Sequence, residues 1–126
     1  METFMTEITT YLQSVSVGTV SVSVFKYNLP SSPVACVAVI PTGGPSPDVM
    51  SELNYQILVR ASSLSSAQSK AKDVFTALND KWNVLSTVKG YHRAQHPVGP
   101  YYYSDSNYPI FTLNFVFKGI GRNLGL

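Results

Sequence analysis

The most regular stretch of the chain runs from Leu53 to Trp82, where a strand pattern passes through a serine-rich turn into a helix pattern. Apolar residues occupy every second position of its first part: Leu53, Tyr55, Ile57, Val59 and Ala61. In its second part they recur three or four positions apart, as on one face of a helix: Ala67, Ala71, Val74, Phe75, Leu78 and Trp82. This pattern predicts a strand-turn-helix unit. Its helix is expected to be capped by Ser65 or Ser66 and to end within residues 79–82.

The N-terminal part of the chain predicts one helix and two strands. Phe4, Met5, Ile8, Leu12 and Val15 have helical spacing. Val20, Val22 and Val24 then alternate with serines, which is typical of a half-buried strand. The prolines of the segment 28–33 predict a turn. Residues 34–40 are almost continuously apolar, and this predicts a strand covered on both faces.

The remaining segments predict two loops and two strands. Residues 41–47 hold the densest group of prolines and glycines, and residues 96–109 combine three prolines with four tyrosines, so both are expected to be loops. A strand with an irregularity at Gly90 is predicted within 84–94, and a strongly alternating strand within 110–118. We therefore expect an α+β fold, with two helices packed on a mixed, mostly antiparallel sheet of about five strands. Residues 1–126 are expected to form a single domain, with 119–126 as a flexible C-terminal tail.

Composition favours a protein that covers part of its surface with partners. The 126 residues carry a formal net charge of +2 and are 44% hydrophobic but only 13% charged. This charge is too small to predict nucleic-acid binding, while the apolar content favours self-association. The lone Cys36 lies in an apolar run and is expected to be a buried thiol. The chain shows no signal-peptide pattern and no apolar run of membrane-spanning length, so we expect a soluble protein made in the cytoplasm, without a membrane partner.

Patterns that carry catalytic or metal chemistry are weak or missing. No G-x-S-x-G nucleophile motif is present, and Gly43-Gly44 lacks the Lys-Ser/Thr of a phosphate-binding loop. His92 and His96 have the four-residue spacing of helical metal ligands, but Gly90 and Pro97 argue against a helix, so both are expected to be exposed or satisfied loop histidines. The acidic pairs Asp73/Asp80 and Asp48/Glu52 are interpreted as solvated surface charges or as charges that act at helix ends. We expect no enzyme activity, and no catalytic, cofactor-binding or metal site.

A basic and aromatic segment supports two interpretations. Lys89, His92 and Arg93 lie among tyrosines, Tyr91 and 101–103, and such a mixture can bind single-stranded nucleic acid by base stacking and phosphate contacts. The same residues can equally form a sheet edge and a loop that packs its tyrosines at a protein interface. The sequence favours the interface, because signatures of RNA-recognition modules are absent.

Several segments, taken together, resemble those of a known family. Pro41-Thr-Gly-Gly-Pro precedes Tyr55-Gln-Ile-Leu-Val-Arg-Ala61, and the helix of residues 67–79 follows at once. Pro97-Val-Gly-Pro, a turn at Asp105 and Phe111-Thr-Leu-Asn-Phe-Val-Phe117 close the chain. In this layout, over roughly residues 15–118, the chain resembles the tail terminator proteins of long-tailed bacteriophages, also labelled minor capsid or tail completion proteins. The loop 101–108 departs from the shorter, more acidic turn of that family.

The resemblance implies a structural virion protein without a cofactor. Such a protein forms a hexameric ring that caps the tail tube at its head-proximal end, ends tube polymerisation and joins the head connector or a head-completion protein. DNA passes through without specific binding, and assembly takes place in the host bacterial cytoplasm. A ring needs two different contact patches on each subunit, and the two loops provide candidates. The candidate interface residues are Thr42, Gly43, Gly44, Pro45, Tyr101, Tyr102, Tyr103 and Tyr108.

Three other functions stay open at this point. The first is a related virion part, either a tail-tube or a head-closure (neck) subunit. The second is a small single-stranded nucleic-acid-binding domain that uses residues 89–103. The third is an enzyme that uses His92 or His96 with a distant carboxylate.

Overall fold

A computed structural model describes residues 2–43, 51–102 and 107–119 of the chain. These residues form two helices and seven strands. In chain order the elements are α1 (Glu2–Ser14), β1 (Val24–Lys26), β2 (Cys36–Gly43), β3 (Ser51–Arg60), α2 (Leu64–Leu78), β4 (Lys81–Trp82), β5 (Gly90–Ala94), β6 (Val98–Tyr101) and β7 (Ile110–Gly119). The tail predicted for 119–126 lies outside the described residues, except for Gly119.

All seven strands belong to one mixed sheet. Its order is β1-β2-β3-β7-β5-β4, and β6 pairs with β7 beyond the end of β5. Only β1 and β2 run parallel, while the other named pairs are antiparallel. The predicted α+β class is confirmed, with seven strands instead of about five. The additional strands are short and lie where the sequence predicted a helix end and a loop.

The pairing of β3 with β7 forms the centre of the sheet. Ser51 lies opposite Gly119 and Arg60 opposite Ile110, so ten consecutive positions pair without a shift. This register places the apolar residues of both strands on one buried face: Leu53, Tyr55, Ile57 and Val59 beside Phe117, Phe115, Leu113 and Phe111. Burying a large apolar side chain stabilises a fold by about 1.5–3 kcal/mol, so this face dominates the core.

Both helices cover this apolar face. α1 buries Phe4, Met5, Ile8 and Leu12, and α2 buries Ala67, Ala71, Val74 and Leu78. The Phe4 ring lies 5.3 Å from that of Tyr55 and 5.1 Å from that of Phe117, centroid to centroid. The Tyr11 hydroxyl donates a hydrogen bond of 2.7 Å to the Ala77 carbonyl, which joins the two helices. The first helical pattern is thereby confirmed as core for these four residues, whereas Val15 follows the helix and is 40% exposed.

The strand predicted from Val20, Val22 and Val24 is wrong for most of its length. Only Val24 enters β1, and Val22 is exposed. The N–H groups of residues 22, 23 and 24 all donate to the Thr19 carbonyl, which closes a compact turn. Ser21 takes a left-handed φ of 63° within it. The Ser23 hydroxyl accepts the Thr19 N–H, so the serines support a turn that competes with a strand.

β2 continues through part of the predicted proline-glycine loop. It runs to Gly43, and its pairing with β3 shifts between Pro41 and Gly43. Pro41 has no N–H to donate, and it lies at this irregularity of the pairing. It also lies beyond the three positions of β2 that pair with β1, so no outer strand requires an N–H group from it. The rest of the loop, residues 44–47, lies outside the described residues.

The ends of α2 differ from the prediction. Ser63 is the N-cap, and its hydroxyl oxygen accepts the Ser66 N–H at 3.3 Å, so the assignment of Ser65 or Ser66 as the cap is wrong. The helix ends at Leu78, and Asp80 takes a left-handed φ of 55°. This reversal starts β4. Trp82 consequently belongs to a strand and is 67% exposed, which contradicts its predicted place in the helical core.

The strand predicted within 84–94 is limited to β5, and the segment before it is held by α1. The Glu7 carboxylate accepts the N–H groups of Thr87 at 2.7 Å and Val88 at 3.0 Å, and the Thr87 hydroxyl. Partial burial tends to raise the pKa of Glu7, but these hydrogen bonds to its charged form lower the pKa overall. The predicted loop 96–109 also needs correction, because it contains β6.

Arg60 at the end of β3 binds the segment of residues 30–34 and lies beside Cys36. Its Nε donates to the Val34 carbonyl at 2.9 Å, and its Nη2 donates to the carbonyls of Pro33, at 3.0 Å, and Pro30. Nη2 also lies 3.3 Å from the Cys36 sulfur. Cys36 is buried as predicted, and this burial raises the pKa of its thiol although Arg60 acts in the opposite direction.

Replacing Arg60 should both destabilise the fold and expose the thiol. We expect Arg60→Ala to lower the free energy of unfolding by about 1–3 kcal/mol, because partly buried carbonyl groups lose charged donors. Cys36 should also react faster with a thiol reagent under native conditions. Urea unfolding and labelling kinetics measure the two effects. Arg93→Ala, at an exposed position of β5, is the control and should change neither. Unchanged labelling in Arg60→Ala would show that the 30–34 segment is held by other contacts.

Candidate functional site

His92 is part of the core and cannot act as a surface residue. It lies in β5 and is fully buried, with its Nδ1 2.8 Å from the Tyr55 hydroxyl oxygen. The ring centroid of Phe117 lies 4.7 Å from that of His92, and Phe4 stacks on it at 6.2 Å. Nε2 has no hydrogen-bond partner among the described residues. Burial lowers the pKa of His92 to about 4, so the ring is neutral at pH 7. The prediction of an exposed or loop position is wrong for His92.

His96 occupies a different environment from His92. It is exposed and stacks on Phe75 of α2, with ring centroids 5.0 Å apart and an interplanar angle of 13°. One histidine therefore lies inside the core and the other on the surface beside a helix. Within residues 2–43, 51–102 and 107–119, no three His, Cys, Asp or Glu side chains come together as a metal site would require.

The sheet face opposite the helices holds a shallow depression. Its cavity measures about 640 Å³ and is lined by both polar and apolar side chains, the polar ones being Thr42, Glu52, Asn54, Tyr91, Arg93, Gln95, Asn114 and Lys118. Register places Lys118 between Glu52 and Tyr91, and the Lys118 Nζ lies 3.9 Å from a Glu52 carboxylate oxygen. Such a surface suits polar contacts with another macromolecule.

The predicted interface residues fall in two separate places. Thr42 is exposed at the end of β2 beside the depression, and Gly43 ends the strand. Tyr101 and Tyr102 are 51% and 54% exposed at the end of β6, and Tyr108 is also exposed. Gly43 pairs with Asn54, which pairs with Val116, whereas Tyr101 pairs with Ile110. The two groups are thus about 20 Å apart along β7. Gly44, Pro45 and Tyr103 lie outside the described residues.

β6 presents an exposed strand edge next to these tyrosines. All four of its residues are exposed, including Val98. The described sheet pairs β6 with β7 alone, which leaves the other edge of β6 facing outwards. Unpaired strand edges readily accept another chain, and exposed Tyr side chains are favoured at protein interfaces. The sequence placed the tyrosines in this segment but missed the strand, because prolines and glycine dominate it.

A second aromatic surface was missed by the sequence analysis. Trp82 packs against Tyr91 with ring centroids 4.5 Å apart, and the Tyr91 hydroxyl donates to an Asp80 carboxylate oxygen at 2.7 Å. This hydrogen bond is the main reason why the pKa of Tyr91 is raised. We call Asp80, Trp82 and Tyr91 the tryptophan patch. The helical spacing of Trp82 concealed it, because that spacing assigned the indole to the core.

An apolar groove runs along α2. Its cavity of about 510 Å³ is lined by Gln68, Ala71, Lys72, Phe75, Thr76, His96, Pro97 and Phe111. We call it the helix groove. The stacked rings of Phe75 and His96 form one wall, and Lys72 provides a positive charge at its exposed side.

Neither described helix has the length and apolar character that a membrane-spanning helix needs.

Comparison with known proteins assigns the chain to a family. The profile of a family described as "Bacteriophage tail terminator protein" matches residues 11–119. Among solved structures, a chain from "Virion of native gene transfer agent (GTA) particle" superposes with a TM-score of 0.54 at 14% identity, covering 93% of this chain and 96% of that chain. At this identity the superposition shows a shared fold. No curated protein matches the sequence.

The buried histidine should make stability depend on pH. The pKa of His92 is about 4 in the folded protein and near 6.5 when unfolded, so the unfolded state binds the extra proton between these values. The free energy of unfolding therefore has its full value above about pH 6.5 and decreases as the pH falls from 6.5 towards 4. We expect a loss of about 2 kcal/mol between pH 7 and pH 5, measured by urea unfolding.

Two variants test the assignment of this pH dependence. His92→Leu combined with Tyr55→Phe replaces both hydrogen-bonding partners by apolar groups and should remove most of the loss between pH 7 and pH 5. His96→Gln, which alters the exposed histidine, should keep the loss. If the double variant retained the full dependence, another group would be responsible.

Proposed function

The chain belongs to the bacteriophage tail terminator family, and from this membership we propose that it caps the tail tube as a hexameric ring. In this role it is a structural protein of the virion. The ring ends polymerisation of the tube at the head-proximal end. Its other surface joins the tail to the head connector or to a head-completion protein.

The observation that carries the proposal is the exposed edge of β6 with its tyrosines. A ring requires a head-to-tail contact between two different patches of each subunit. The edge of β6, with Tyr101 and Tyr102, offers the first patch, because its outward side is free to pair and its aromatic groups are available for burial. Thr42 and Gly43 at the end of β2 belong to the second proposed contact region. We assign residues 103 and 108 to the first region and residues 44 and 45 to the second.

The charge of the chain agrees with passage of DNA through the ring. Each Lys or Arg that neutralises a phosphate adds to the affinity and slows transit. The formal net charge is only +2, and on the open sheet face Lys118 lies beside Glu52. The burial of His92 also removes one cation from the set that could bind single-stranded nucleic acid. We therefore favour a ring that DNA crosses without specific binding.

The mass of the free protein tests the ring directly. Six copies of the 13.8 kDa chain give about 83 kDa. We expect light scattering on the chromatographed protein at high concentration to report this mass, and negative-stain micrographs to show closed rings. Open tubes of the same protein would instead indicate a tail-tube subunit. A monomer at every concentration, with salt-sensitive binding of single-stranded oligonucleotides, would contradict the proposal.

A charge within the tyrosine segment should separate assembly from folding. We expect Tyr102→Asp to weaken assembly by at least about tenfold, since the carboxylate must lose water when the patch is buried. The melting temperature of the monomer should change little, because Tyr102 is half exposed. Val22→Asp places the same charge at an exposed position of the 19–24 turn and should affect neither property. Equal losses of assembly and of monomer stability in Tyr102→Asp would contradict an interface role.

A further inference from the structure

The tryptophan patch and the helix groove have complementary properties. The patch presents an indole that is 67% exposed, backed by the Tyr91 ring and flanked by the Asp80 carboxylate. The groove presents an apolar cavity walled by the Phe75–His96 stack, with Lys72 at its side. On the patch side Asp80 supplies a carboxylate beside the exposed ring, and on the groove side Lys72 supplies an ammonium group beside the aromatic wall.

The two surfaces of one subunit cannot meet each other. Trp82 pairs with Tyr91, which pairs with Lys118 near the end of β7, whereas the groove includes Phe111 near its beginning. Phe111 and Lys118 are seven residues apart in β7, a distance of about 23 Å along an extended strand. An indole side chain is much shorter than this distance. Only a second molecule can bring an indole to the groove.

We propose that Trp82 of one copy inserts into the helix groove of a neighbouring copy, where it stacks on the Phe75–His96 pair. Asp80 then lies near the neighbour's Lys72. This contact rests on the proposed self-assembly and adds a specific pair of surfaces to the contact between neighbouring subunits. Trp is among the residues that most often dominate binding energy, particularly when it fills a pocket from which water is excluded.

The charges favour another copy of this chain as the occupant of the groove. Both members of the proposed Asp80–Lys72 pair are exposed in the isolated subunit, so their approach costs little desolvation before the indole enters. The ring of His96 is also exposed, so a second aromatic ring can approach it from outside. The tryptophan patch thus supplies an exposed ring for the groove and a carboxylate for Lys72.

The fluorescence of the protein reports on this contact, because Trp82 is the only tryptophan of the chain. We expect the monomer to show the long-wavelength emission and strong acrylamide quenching of an exposed indole. On assembly, followed by light scattering in the same samples, the emission should move to shorter wavelength and the quenching constant should fall several-fold. Trp82→Ala should keep the fold, because the side chain is exposed, and should weaken assembly by at least about tenfold.

A charge reversal in the groove supplies the second arm of the experiment. Lys72→Glu should weaken assembly about tenfold. The control is Asp73→Lys, a reversal at the adjacent exposed position of the same helix, outside the groove, and it should change assembly less than about twofold.

The outcomes distinguish this contact from the ring itself. Assembly that leaves the emission and quenching of Trp82 unchanged would overturn the contact and leave the hexamer standing. A dimer with a protected indole would support the contact and contradict the hexamer. A monomer at all concentrations would overturn both.

Discussion

The ten-residue antiparallel pairing of β3 with β7 is the constraint on which the other elements depend. Its unbroken register brings Tyr55 beside Phe115, with stacked rings 5.0 Å apart, and places every second residue of both strands on the same face. A shift by one residue would turn these side chains to the opposite face, away from both helices, so the buried face strongly specifies the register. Both helices pack on the surface that results, and β2, β5 and β6 take their places along its two edges.

This arrangement leaves the contact surfaces at the margins of the sheet. The helices cover one face of the sheet, and the large exposed aromatic groups lie in the short strands and their flanks. Tyr102 follows β6, and Trp82 forms part of the two-residue β4. Short edge strands expose backbone and side chains that a partner can cover, whereas the central pair is already satisfied. In the proposed role, such a subunit can therefore vary its edges without disturbing its core.

Periodicity predicted the elements that have one strongly apolar face, and little else. α1, β3, the body of α2 and β7 follow from local spacing because each buries such a face. The turn of residues 19–24 and the reversal at Asp80 depend on left-handed residues and on the Thr19 carbonyl, which alternation does not reveal. The burial of His92 depends on Tyr55, 37 positions earlier. The exposed tyrosines could be located from composition, but β6 and the exposure of Trp82 required tertiary structure.

The central claim is that a ring of this protein ends the growth of the tail tube. Electron microscopy of tail tubes assembled with and without this chain tests it most directly. With the chain present, we expect tubes of uniform length that carry a ring at one end, and without it we expect longer tubes of variable length. Tubes with the same length distribution in both preparations would contradict the claim.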